Sequence, residues 1–205
     1  MNIYLKKNKH SNKNGDLVVL LTTTQSPHIE ANFNYIERNI NTFKRIFIID
    51  LVSDNEYRNE YTWRSYLPIR QNIIRKIQNG LIKNLYIKQK IKEHNFLRKE
   101  IIISGSNIFS SKEIFSILKT YSMTEFRSAA ITSSKYTGRI IDSINYSSIA
   151  LNAFLKKYKL NNIYQFLLFN GRHPLEYSCR LLLSKLNFKN IIYHECNNYM
   201  YKIYY

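Results

Sequence analysis

Asp16-Leu17-Val18-Val19-Leu20-Leu21-Thr22-Thr23 is the stretch on which the fold turns. It is a short, unbroken apolar run that follows Gly15. Such a run suits a strand buried on both faces, as in a parallel sheet. Ser26-Pro27 then reads as a turn and a helix entry, with the proline in the first helical turn. From Ile29, apolar residues recur at Phe33, Ile36, Ile40 and Phe43, which is helical spacing. Arg45 to Leu51 supplies a second buried strand. Strand, helix and strand within about 35 residues make a βαβ unit.

The last third of the chain repeats this grammar. Ile163 to Phe169 is a third buried strand, ending in Asn170-Gly171-Arg172-His173-Pro174. A helix follows over Leu175 to Leu186. Asn190 to Tyr193 is a fourth strand, which runs out at His194-Glu195. Between the two α/β parts the pattern is helical and basic. One helical stretch is expected from Tyr66 to about Arg98, weakened at Gly80. Another is expected after Ser110 or Ser111, with Glu113 in its first turn. A third is expected from about Gly138 to Tyr158. Residues 1–14 read as a flexible basic lead-in. No internal repeat and no linker divides residues 15–205. The expectation is one Rossmann-like, doubly wound α/β domain with a mostly parallel sheet and a helical middle section.

Composition agrees with a folded domain. The chain has 205 residues, 44% hydrophobic and 14% aromatic, enough for a core and unlike a disordered or collagen-like chain. Gly 5 and Pro 3 are too few for the many tight turns of an all-β protein. Lys+Arg 31 against Asp+Glu 14 gives a formal charge of +17. Two readings of that charge stand. One is drift toward AT-rich codons, which enriches Asn, Ile, Lys and Tyr together. The other is an anionic partner: nucleic acid, a phosphoryl group or an acidic membrane face. Cys179 and Cys196 form neither a disulfide framework nor a zinc spacing, so a cytoplasmic setting is expected. Neither a signal peptide nor a run of about 18 apolar residues is visible.

Ligands of open parallel sheets bind at the carboxyl ends of strands. That rule selects three places. After the first strand come Thr22, Thr23, Thr24, Ser26, His28 and Glu30: hydroxyls, an imidazole and a carboxylate ahead of helical N–H groups. The segment lacks G-x-G-x-x-G, so dinucleotide binding is not supported. After the third strand, Gly171 permits a sharp turn, Asn170 donates and accepts, and Arg172 offers a planar fork for phosphate or carboxylate. After the fourth, His194 and Glu195 can orient each other or bind sugar hydroxyls. Each place also reads as an ordinary polar turn.

In order along the chain, Ser26-Pro27-His28-Ile29-Glu30, Phe169-Asn170-Gly171-Arg172 and His194-Glu195 resemble the motifs of a group of bacterial surface-polysaccharide glycosyltransferases. Pro174 and Glu176 fall in the matching Arg-x-Pro-x-acid context, whereas Cys196 departs from the pattern. The resemblance implies a metal-independent enzyme of the GT-B architecture, acting in capsule or O-antigen (lipopolysaccharide) assembly. In that architecture the first of two Rossmann domains mainly holds the acceptor and the second the nucleotide-sugar donor. It therefore implies that this chain, ending at Tyr205, is the N-terminal, acceptor-side half, with the donor domain missing or separate. His28 and Glu30 are the implied general-base candidates. Ser26, Asn170, Gly171, Arg172, His194 and Glu195 would hold substrate. The implied partners are a sugar acceptor, lipid-linked in one version, and an anionic inner membrane contacted at its cytoplasmic face. The alternatives are a basic RNA-binding or ribosomal-type protein from an AT-rich genome, and an inactive truncated remnant.

Overall fold

A computed structural model describes residues 1–9, 11, 13–22, 26–51, 85–125, 134–169, 174–197 and 200–204. The described strands are β1 (Asn2–Lys7), β2 (Lys13–Leu21), β3 (Phe43–Asp50), β4 (Leu97–Glu100), β5 (Ile163–Phe169), β6 (Ile191–Asn197) and β7 (Met200–Tyr204). The helices are α1 (Ser26–Arg38), α2 (residues 85–93), α3 (Ser111–Glu125), α4 (Ser134–Tyr158) and α5 (Pro174–Lys185). The strands form one sheet in the order β4-β1-β3-β2-β5-β6-β7. Its centre, β3-β2-β5-β6, is parallel throughout. The pairings of β1 and β7 are antiparallel, so five of the seven strands share one direction.

The apolar runs become central strands because both their faces are covered. Odd-numbered Leu17, Val19 and Leu21 of β2 pack with Ile29, Phe33 and Ile36 of α1 and Ile87 of α2. Even-numbered Val18 and Leu20 pack with Ile144, Leu151 and Phe154 of α4 and Leu182 and Leu183 of α5. Alternate side chains of a strand point to opposite faces, so one continuous run feeds both layers. The result is the Rossmann-like α/β architecture. Gly15 is needed where β2 meets β5: a Cβ there would lie 2.6 Å from the Cβ of Tyr164.

The helical middle is partly as expected. Ser110 caps α3 through a capping box: its N–H donates to Glu113 Oε2 at 2.9 Å, and Glu113 N–H reaches Ser110 Oγ at 3.4 Å. Residues 66–84 of the expected long helix lie outside the described residues, as does Gly80. Three expectations are corrected. Residues 1–14 are not all lead-in: β1 pairs with β3 and β4, and its alternate residues Ile3 and Leu5 are buried. The helix expected to reach Arg98 stops earlier, because residues 97–100 form the edge strand β4. His194 and Glu195 lie inside β6 rather than beyond it, because the strand continues to Asn197 and pairs with β7.

The chain leaves β2 for β3 on one side and later reaches β5 on the other. The switch point therefore lies between β2 and β5, and in open α/β sheets the carboxyl ends of the strands at such a point are the usual ligand position. Among the described residues no helix is long and apolar enough to cross a membrane.

Candidate functional site

The carboxyl ends of β5 and β6 carry an unusual polar cluster under α1. Phe169 ends β5 and stands in register with His194 of β6. By strand parity both face α1, on the side of Leu167 and Ile192. His28, in the first turns of α1, is buried and lays its ring on Phe169 with centroids 3.7 Å apart. His194 sits on the same phenyl ring at 5.6 Å. Two imidazoles thus contact one aromatic ring.

Asn32 lies one helical turn after His28, so both project from the same face of α1. Its Oδ1 is 2.8 Å from His194 Nε2. With that oxygen as acceptor, Nε2 carries the proton and Nδ1 presents a lone pair. Burial pushes the His194 pKa down from 6.5 to about 4, and the neighbouring His28 adds to this. The imidazole is therefore neutral near pH 7. Its Nδ1 and the Asn32 Nδ2 are buried and have no hydrogen-bond partner among the described residues. An acceptor and a donor on two bonded side chains, unfilled among the described residues, suit a group that both donates and accepts, such as a hydroxyl.

Other polar groups border this end. Thr22 follows β2, and its buried Oγ1 also has no partner among the described residues. Asp50 closes β3 in register with Leu21 and is buried on the α1 face. Glu176 is buried in the first turn of α5, where a carboxylate complements the positive helix end. It acts with burial to push the Cys179 thiol up, with burial the larger cause, so Cys179 is an inert thiol.

The residues singled out from sequence fall into three groups. His28 and His194 are brought together on Phe169. Glu30 is on α1, half-buried, and Ser26 opens that helix, its side chain outside the described residues. Glu195 is in β6, in register with Lys202, with its side chain likewise undescribed. Asn170, Gly171 and Arg172 lie outside the described residues altogether. Sequence reasoning missed Asn32 as a site residue. Its signal was a polar side chain at a core-facing position between Ile29 and Ile36. Phe169 was read as the end of a buried strand and the start of the Phe-Asn-Gly-Arg resemblance, and was given no role of its own. Among the described residues no three His, Cys, Asp or Glu side chains gather as a metal-ligand set. No protein-family model, no curated protein and no solved structure matches the chain.

Proposed function

We propose that this chain is a glycosyltransferase domain, working on the acceptor side of a nucleotide-sugar-dependent transfer in surface-polysaccharide assembly. One observation carries the reading: at the carboxyl edge of a switch-point sheet two buried imidazoles meet one aromatic ring and an amide bonds one of them, with hydrogen-bonding capacity left over among the described residues. Sugars are bound by this combination of a flat apolar face and paired donors and acceptors.

In the proposed reaction an acceptor hydroxyl oxygen bonds to the anomeric carbon of the donor. The bond from that carbon to the nucleotide phosphate oxygen breaks, and the nucleotide leaves with the electron pair. The hydroxyl proton passes to a base. His28 or Glu30 takes that proton. His194 is too weakly basic for the role, and its neutral Nδ1 instead accepts from a sugar hydroxyl and fixes its orientation. Asn170 and Arg172 would hold sugar or phosphate oxygens. A second α/β domain, in the same polypeptide or separate, would bring the donor.

The test is incubation with a panel of nucleotide sugars and oligosaccharide or lipid-linked acceptors, with and without a candidate donor domain. Transfer that is read by mass spectrometry and lost in His28→Ala supports the proposal. Absence of transfer, of donor hydrolysis and of saccharide binding in both arrangements overturns it.

A further inference from the structure

Asn32 is out of place on α1. It is 1% exposed and sits between Ile29 and Phe33, where an apolar side chain would pack without the loss that a half-satisfied buried amide brings. Its hydrogen bond to His194 Nε2, through Oδ1 at 2.8 Å, uses one end of each side chain. The other ends, Asn32 Nδ2 and His194 Nδ1, are buried and have no partner among the described residues. What is left follows from what is used. With the amide oxygen accepting and Nε2 donating, Nδ2 remains a donor and Nδ1 an acceptor. Turning the amide over and moving the imidazole proton to Nδ1 keeps the bond and exchanges the roles: Nδ2 donates to Nε2, Oδ1 is the acceptor left over, and Nδ1–H is the donor. In both arrangements a neutral pair keeps one donor and one acceptor.

That remainder is a chemical filter. A carboxylate, a sulfate or an ether oxygen only accepts, and an ammonium only donates. A hydroxyl does both from a single atom. Because Nδ1 and Nδ2 are shielded from bulk water, a ligand without the hydroxyl leaves both unpaired, which is how a site built around a hydroxyl rejects the analogue that lacks it. Burial, with His28 adding to it, pushes the His194 pKa down to about 4, so this imidazole does not take the hydroxyl proton. The hydroxyl held by the pair is therefore not the one that reacts, and an acceptor must carry a second.

We propose that Asn32 is a specificity-determining residue, which together with His194 selects an acceptor sugar by one free hydroxyl distinct from the reacting one. This deepens the glycosyltransferase reading and rests on it. The substrate class that follows is a sugar unit with at least two unsubstituted hydroxyls. The same unit deoxygenated, etherified or carrying a charged group at the selected position is rejected.

The experiment titrates the full chain with the methyl glycosides of glucose, galactose, mannose and N-acetylglucosamine, then with the monodeoxy and mono-O-methyl derivatives of the tightest binder. Binding and the ring-nitrogen resonances of His194 are read by NMR. Removing or methylating one particular hydroxyl should weaken binding by about thirtyfold or more, and the others by no more than about fivefold. The parent glycoside should shift the His194 Nδ1 resonance, and that deoxy derivative should not. Asn32→Leu, of similar volume, should bind the parent about tenfold more weakly and lose only about threefold more on the same deoxygenation. Circular dichroism checks folding. If the variant does not fold, the derivative series and the Nδ1 resonance of the wild type decide the matter. Equal losses on deoxygenation in wild type and variant overturn the inference and leave the saccharide reading standing, with a water molecule in the hydroxyl's place. So does a wild-type series in which no derivative loses more than about fivefold. If neither these glycosides nor the oligosaccharide acceptors of the transfer test bind, the saccharide reading falls and the inference with it.

Discussion

The two ends of the sheet bury polar groups in opposite ways. At the amino end, Asp16 is 1% exposed and fully engaged: Arg45 Nε and Nη2 donate to its two oxygens at 2.9 and 2.5 Å. The guanidinium also lies 5.2 Å from the centre of the Phe47 ring. At the carboxyl end, Thr22, Asn32 and His194 are also buried and keep atoms with no partner among the described residues. A satisfied buried pair serves the fold, because every desolvated charge has its partner. Unsatisfied buried groups cost stability and are kept where a ligand completes them. On the proposed function, the contrast places stability at one end and binding at the other.

The sharpest way to break that contrast is Asp16→Ala. It leaves Arg45 facing an emptied, largely buried pocket between β2 and β3. Stability should fall by about 3 kcal/mol, at the lower end of the range for broken buried pairs because Arg45 keeps some exposure to water. Urea unfolding measures this. A loss below about 1 kcal/mol would mean that the pair is no more than a surface contact.

The carboxyl end should answer to pH instead. The folded His194 binds its proton only near pH 4, against 6.5 for the free side chain. Between those values the unfolded chain holds the extra proton. Stability is therefore complete above about pH 6.5 and falls as the pH drops toward 4, by about 2–3 kcal/mol, with no further loss from this group below. His194→Gln keeps a donor for Asn32 and removes the titration. The difference between wild-type and variant unfolding curves at pH 7 and pH 4.5 isolates the effect. Parallel curves would remove the buried neutral imidazole from the account.

A smaller loss is expected at the α3 entry, on the amino-end side. Glu113 closes the capping box with Ser110 and meets Lys185 of α5, which holds its carboxyl down at about 2. Lys185 is the larger cause and Ser110 the next. Glu113→Ala should cost about 1 kcal/mol by thermal or urea unfolding, mostly through the cap, because the ion pair is partly solvated. Glu113→Gln should recover part of it, since the amide oxygen still accepts from Ser110. Equal losses in the two variants would assign the effect to the charge rather than to the cap.

The sequence displayed the central strands and their helices because burial on both faces forces unbroken apolar runs such as Leu17 to Leu21 and Phe166 to Phe169. Gly15, Pro27 and Pro174 punctuated them. β1 was hidden by its lysines: only the alternation of Ile3 and Leu5 marks it, and two apolar residues are a faint period. β4 carries no pattern at all, since Leu97, Arg98, Lys99 and Glu100 are all exposed. It is a strand only because its backbone completes the ladder on β1. At the site, His28 and His194 were legible from the rule about strand ends. Asn32 was not, because one polar residue inside a helical stripe leaves the period intact. Nor was the part played by Phe169, since a strand's last core residue and a stacking platform have the same one-letter code. What distinguished them was a register, Phe169 beside His194, that only strand pairing sets.

The smallest effect tests the contrast most directly. Thr22→Val is nearly isosteric and deletes a buried hydroxyl that has no partner among the described residues. Were the two ends alike, the change would cost stability, as removal of a satisfied hydroxyl does. With the hydroxyl unsatisfied, the desolvation penalty disappears and the methyl group packs in its place. The fold should be unchanged or more stable by up to about 1 kcal/mol in urea unfolding. Saccharide binding, read by calorimetry on the same protein, should weaken at the same time. A gain in stability joined to a loss in binding is the signature of a group kept for its ligand. A loss in both would show that Thr22 belongs to the scaffold, and that the satisfied end of the sheet extends past Leu21.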